Sequence, residues 1–171
     1  MNSATGDSLR HNLILGNFYL AMRRALEGGP CTAYLSGVSL AVVGTDFVAR
    51  PDLLVVCGQP SLFEGREDTV TDASVIAEVL SPATEEYDRG EKFRLYQAVP
   101  SLREYVLIFS HEPRVDHYRR LDDGDWALNE VCGGEWEFLL DSVSGRIKMA
   151  DIYREISFPS SSSSPLPSVG Q

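Results

Sequence analysis

Apolar residues recur at helical spacing near the start of the chain, where Ile14, Phe18, Ala21, Met22 and Ala25 fall on one stripe. Ser8 stands where an N-cap belongs and Gly28, Gly29 and Pro30 stop the pattern, so a helix is predicted from Ser8 to about Glu27. The period then shortens. β-type runs follow at 32–35, 38–43 and 53–57, broken at Ser36-Gly37 and across 44–51, and they read as a meander. Residues 58–73 mix Gly, Pro and acids without periodicity and read as a long surface connection with freedom to move. The run 75–80 is apolar except for Glu78, and after the turn-rich SPATEEYD a second helix is predicted over 88–99, ended by Pro100. A buried strand at 104–109 comes next. Strands at 115–119, 126–131 and 135–140, joined by DDGD and CGGE turns, and a helical turn at 149–156 complete the pattern.

This order predicts a mixed α+β fold with a central sheet flanked by helices. A length of 171 residues suits one domain, placed at 1–156, and the Ser/Pro-rich residues 157–171 offer too little apolar surface to offset the entropy of ordering, so a disordered tail is expected there. The stretch 13–22 contains Asn17 and runs into Arg23 and Arg24, too short and too polar for a signal sequence or a membrane span. A net charge of −10 excludes a broad basic face, so any contact with nucleic acid must be local. Cys31, Cys57 and Cys132 are odd in number, widely spaced and without a CxxC, which suggests neither a disulfide framework nor a zinc knuckle and fits a reducing cytoplasm.

Three polar residues sit where the pattern asks for apolar ones. Glu78 lies inside VIAEVL, and alternation puts it on one face with Ile76 and Leu80, where an unpaired carboxylate costs several kcal/mol or raises its pKa until it neutralises. Asp52 follows Pro51 and opens the run LLVVC, a second acid at the mouth of a buried strand. Taken singly, Asp52 reads equally well as a turn residue and Glu78 as half of a salt bridge to arginine. Of the 15 basic residues only Lys92 and Lys148 are lysines. Lys92 shares a helical stripe with Asp88, Leu95, Tyr96 and Val99 and so points toward the sheet; the plainer reading is an i, i+4 pair with Asp88 on a solvated face. Together the two acids, with the backbone carbonyl of Val79, suit Mg²⁺, with Mn²⁺ as a substitute. An inward lysine beside them suits charge stabilisation in phosphodiester hydrolysis.

At these residues the sequence resembles the PD-(D/E)XK nuclease superfamily, and within it a large bacterial restriction-endonuclease family with a migrated lysine. The stretches that carry the resemblance are RPDLLVVCG at 50–58, AEVLSPATEEYDRGEKFRLYQAVPSLREYVLI at 77–108 and SLRHNLILGNFYLAMRRAL at 8–26. The resemblance implies a restriction-endonuclease-like core. It makes Pro51-Asp52 the first acidic motif and Glu78-Val79-Leu80 the second; Leu80 stands at the superfamily's usual lysine position and Lys92 replaces it from the following helix. The implied catalytic residues are Asp52, Glu78 and Lys92, the metal donors Asp52, Glu78 and the Val79 carbonyl, and the substrate DNA. Tyr96, His11 and Asp88 are supporting candidates, and Arg89 and Arg94 are candidates for contacts to DNA. Family members carry a further segment with a glutamate ahead of the first helix, whereas the match here opens close to Met1, so the expectation is either a truncated start or a missing flanking element.

A different class of function competes with this one: a nuclease-like interaction or regulatory module that no longer cuts, compatible with a homodimer. The short N-terminal start and the acidic charge balance favour it, and the intact Asp52, Glu78 and Lys92 speak against it. A hydrolase of small nucleotides would need a Gly-rich phosphate cradle, and GxxxxGK[ST] is absent.

Overall fold

Ser8 caps the first helix as its position requires: its hydroxyl accepts the His11 backbone N–H at 3.1 Å. The structure, a computed structural model, describes residues 8–159. Helix α1 (Leu9–Ala25) buries His11, Ile14, Phe18, Ala21 and Met22 and ends on Arg23 and Arg24, whose charge complements the carbonyl end of the helix. Strands β1 (Cys31–Leu35), β2 (Ser39–Ala41), β3 (Val48–Ala49) and β4 (Leu53–Cys57) follow. The predicted meander does not form. β1 pairs directly with β4, while β2 leaves to join β3 and β5 (Thr69–Val70) in a separate three-stranded sheet. Leu40, Val42, Ala49 and Val70 then cover one face of the main sheet instead of extending its edge.

The main sheet has the order β1-β4-β6-β7-β8-β9, with β6 (Val75–Leu80), β7 (Glu104–Phe109), β8 (Arg114–Arg120) and β9 (Trp126–Cys132). Every neighbouring pair is antiparallel except β6–β7, which is parallel and joined by a helical crossover over 85–96. Strands β6 and β7 are buried on both faces, which is why their sequences are nearly unbroken apolar runs. Alternation divides them cleanly. Val75, Ala77, Val79, Val106 and Ile108 face α1, whereas Ile76, Leu80, Tyr105, Leu107 and Phe109 face the crossover helix and the small sheet. A hairpin of β10 (Glu137–Leu140) and β11 (Gly145–Lys148), followed by α4 (Met149–Ile152), packs on the α1 side. Gly145 lies where an added Cβ would come within 3.4 Å of the Ala25 Cβ, so the absence of a side chain lets the hairpin approach the helix.

Other expectations also change. The stretch 58–73 is not a free connection, because Thr69 and Val70 are buried in β5 and Thr71 donates its N–H to the Ser61 carbonyl. The crossover helix starts earlier than predicted and is not a regular α-helix: α2 (Glu85–Tyr87) leads into a π-helical turn, Asp88–Lys92, and then α3 (Phe93–Tyr96). Cys31 and Cys57 form a disulfide, contrary to the sequence reading; they come opposite each other only when β1 and β4 pair, 26 residues apart in the chain. Cys132 is exposed and free. The start of the expected tail is held in place, since Arg10 donates to the Ser157 carbonyl at 3.0 Å and Phe158 lies edge-on to Tyr153; the rest of the tail lies outside the described residues. Among the described residues no helix is long and apolar enough to cross a membrane.

Phe18 is fully buried between α1 and the sheet. Phe18→Ala is expected to lower the unfolding free energy by about 3–5 kcal/mol through lost transfer energy and the remaining cavity, read as a fall in urea midpoint at unchanged slope.

Candidate active site

The side-chain alternation of β6 turns Glu78 toward the crossover helix, into a region that is otherwise apolar. Three donors converge on its carboxylate. Lys92 Nζ lies 2.7 Å from Oε1, the Tyr96 hydroxyl donates to the same oxygen at 3.1 Å, and the Asp52 backbone N–H reaches Oε2 at 3.3 Å. Asp52 stands at the head of β4, opposite Glu78 in the antiparallel pair, and its Oδ2 accepts the Val79 N–H at 2.8 Å. His11, one turn into α1, brings Nε2 to 3.2 Å from the same Asp52 oxygen. Lys92 is shared with Asp88, 3.1 Å from its Oδ1. The sequence candidates Asp52, Glu78, Val79, Asp88, Lys92, Tyr96 and His11 are thus brought together at one point between α1, the sheet and the crossover helix.

The π-helical turn explains how Lys92 and Phe93 both point inward. A turn closed by i→i+5 bonding holds one residue more than an α-helical turn, so successive side chains crowd onto the sheet side. Tyr105, fully buried on β7, donates its hydroxyl to the Asp88 carbonyl at 3.0 Å and holds that turn against the sheet. Sequence reasoning missed Tyr105, although a tyrosine hydroxyl inside a buried strand must find a partner, and that is the signal that would have found it. Phe47, from the small sheet, meets the Tyr96 ring edge-on at 6.0 Å and closes the other flank. Of the two arginine candidates, Arg94 is exposed, whereas Arg89 is engaged with Glu85 at 3.2 Å and with the buried Asp116 at 3.1 Å.

Burial dominates the electrostatics. It pushes the Glu78 carboxyl up to about 7, against the downward pull of Lys92, with the neighbouring Asp52 charge adding to the rise. Asp52 is also raised, by its own burial, although the Val79 N–H and His11 counter this. Lys92 loses solvation, which favours its neutral form, but the Glu78 and Asp88 carboxylates outweigh that and hold its pKa above the ordinary lysine value. Tyr96 is driven upward by burial and by Glu78, so it remains a neutral donor.

Among the described residues no group of three His, Cys, Asp or Glu side chains is arranged to hold a metal ion. The donor set is a carboxylate pair, with the Glu78 Oε2 engaged only by the long Asp52 N–H bond. A pair is what Mg²⁺ ordinarily takes from a protein, since it keeps several waters and binds through one or two carboxylates and substrate phosphate oxygens. The residues present therefore fit that ion, and they do not fit a zinc site, which needs three or four protein ligands.

The sheet with its single parallel pair and flanking helices is a restriction-endonuclease-like, nuclease-type fold. It is shared with a solved chain from Anabaena variabilis described as a putative nuclease belonging to DUF820, with a TM-score of 0.68 and 14% identity over 85% of this chain and 80% of that one. Residues 3–150 match the family described as putative restriction endonuclease, Uma2, and the chain belongs to that family. Two uncharacterized Synechocystis proteins are similar in sequence: slr1290, 35% identical over 90% of this chain and 79% of its own length, and sll1609, 30% identical over 75% and 72%.

The raised Glu78 carboxyl sets a pH dependence of stability. With a folded pKa near 7 against 4.5 for the free group, the folded state binds more protons between those values. Its contribution is therefore complete below about pH 4.5 and is lost as pH rises through 7. In EDTA, the stability of the wild type relative to Glu78→Gln should fall by up to about 3 kcal/mol between pH 4.5 and 8, measured by urea unfolding at each pH.

Proposed function

We propose that the protein is a metal-dependent endonuclease that hydrolyses DNA phosphodiester bonds at the Asp52–Glu78–Lys92 site. The observation that carries this reading is the buried Glu78 carboxylate, placed beside a second carboxylate and in contact with a lysine ammonium. Asp52 and Glu78 would hold Mg²⁺, or Mn²⁺ in its place. The Val79 carbonyl would assist, since the N–H and C=O of one strand residue point to the same side and its N–H already faces Asp52. When bound, the ion supplies Lewis acidity toward a phosphate oxygen and lowers the pKa of a water.

The chain's own residues do the rest. Lys92 stays an ammonium at neutral pH because Glu78 and Asp88 hold its pKa up, so it stabilises negative charge developing at phosphorus and does not abstract a proton. Asp88 fixes the Lys92 side chain from one turn earlier, and Tyr96 fixes Glu78. His11 orients Asp52 from the helix side. DNA approaches a protein of net charge −10, so phosphate contacts are few and the hold on DNA is weak. Arg94, on the crossover helix that carries Lys92, is exposed and available for one such contact.

Purified wild type should nick plasmid DNA in Mg²⁺ or Mn²⁺ and not in EDTA, and Glu78→Ala and Lys92→Ala should each reduce nicking at least 100-fold while retaining a cooperative thermal transition. A folded wild type that cleaves neither plasmid nor linear DNA in either metal would leave the non-cutting module as the better reading. Metal binding has an independent readout: millimolar Mg²⁺ or Mn²⁺ should raise the melting temperature of the wild type but not that of the double variant Asp52→Ala, Glu78→Ala.

A further inference from the structure

The main sheet ends at β9, which has a partner strand on one side only. Its ladder with β8 runs without a bulge from Arg114 opposite Cys132 to Arg120 opposite Trp126. The Gly133 N–H donates to the Pro113 carbonyl and the Leu121 N–H to the Asp125 carbonyl, which fixes the phase of that ladder. Ala127, Asn129 and Val131 exchange their backbone bonds with β8, so Trp126, Leu128, Glu130 and Cys132 aim N–H and C=O outward. Among the described residues no strand pairs with that edge. Leu128 and Glu130, at its centre, are exposed. At the other edge of the sheet the phase set by the Gly58 N–H and the Pro30 carbonyl makes Ala33 the outward residue in the middle of β1, and Ala33 is buried.

An open edge is a template for another strand, and proteins ordinarily blunt it with proline, lysine, a bulge or a covering segment. β9, WALNEVC, carries neither proline nor lysine. Its one charge, Glu130, is balanced within the chain, because Arg114 bonds it while also holding Asp116. Beside the edge, Trp136 is exposed and lines, with Asn129 and Val131, a concavity of about 340 Å³. Outward backbone groups are satisfied by an extended chain, and β9 matches itself in that role. With two copies antiparallel about Asn129, Leu128 of each falls opposite Glu130 of the other and Trp126 opposite Cys132, so every outward group is used, in about eight bonds. On the other face the two Asn129 amides meet and can bond each other, and Ala127 of the second copy meets Val131 beside Trp136. No charge stands directly opposite a like charge. The two Glu130 side chains are diagonal, about 7–8 Å apart, and each keeps its own Arg114.

We propose that β9 is a dimerisation strand: two copies of this chain pair antiparallel through it about a two-fold axis at Asn129 and join their main sheets into one. The Asp52–Glu78 site lies on strands three positions and more from β9, so the inference is independent of the cleavage reading.

The test is sedimentation velocity of the full chain in EDTA, from micromolar to millimolar protein, in salt sufficient to screen the net charge of −10. The mass should rise to twice that of the monomer with concentration. Leu128→Pro removes an outward N–H and no bond to β8, so it should weaken the dimer at least tenfold at an unchanged melting temperature. Asn129→Cys reads the register without depending on that variant: under a mild oxidant it should give a covalent dimer, because the two residues form a closely spaced non-hydrogen-bonded pair. The wild type should not cross-link under the same oxidant, since Cys132 faces Trp126 and stands about 20 Å from its counterpart. A monomer at every concentration would overturn the proposal and leave the edge to a strand from another protein. A dimer that Leu128→Pro leaves intact and Asn129→Cys does not trap would overturn it as well.

Discussion

The carboxylate of Glu78, buried on a β-strand, is the constraint around which the rest of this structure is arranged. Taking a charged carboxylate out of water costs several kcal/mol unless donors replace the solvent, and a strand interior offers none from its own backbone. The donors come from elsewhere: Lys92 and Tyr96 from the crossover helix and the Asp52 N–H from β4. Each demands an element in a fixed place. The crossover must return over this face, its turn must be wide enough to point Lys92 inward, and Tyr105 must hold that turn by the Asp88 carbonyl. The small sheet then closes the flank through Phe47.

Other buried acids in the chain show why this one differs. Glu104 is fully buried and saturated by His117 and Ser142, which tie the β10–β11 turn to the main sheet. Asp116 is fully buried between Arg89 and Arg114. Both are closed polar clusters in which every strong acceptor has a fixed cation or donor. Glu78 instead faces a second carboxylate, and one of its oxygens receives only a long backbone bond. A buried acid next to another acid, both with pKa values pushed up, is an arrangement that stability alone does not favour, and such arrangements concentrate at functional sites.

The same contrast explains what was legible in the sequence. Glu78 was visible because it interrupts an apolar run, Asp52 because it opens one, and Lys92 because lysine is rare in this chain. Alternation then assigned the faces of β6 correctly. Glu104 and Asp116 were not singled out, since each lies in or near a strand end where an acid is unremarked, and their partners come from distant segments. The small sheet escaped because its strands are two or three residues long, and its parallel β2–β5 pair has no turn signal to announce it. The disulfide escaped because it depends on the β1–β4 register, which spacing does not reveal. The π-helical turn escaped because a helical period averaged over twelve residues does not resolve one extra residue.

Arginine usage joins these observations to the protein's charge. In a chain of net charge −10, Arg66, Arg89, Arg114, Arg146 and Arg154 each face an acid, so much of the positive charge is spent on internal and surface pairs. Attraction of a polyanion therefore depends on the exposed cations outside those pairs, Arg23, Arg24, Arg50, Arg94 and Arg103 among them. Lys92 is not, since its charge is needed by Glu78 and Asp88. Such a protein gains selectivity from the local placement of positive charge and gives up the tight, sequence-independent hold that a basic face would provide.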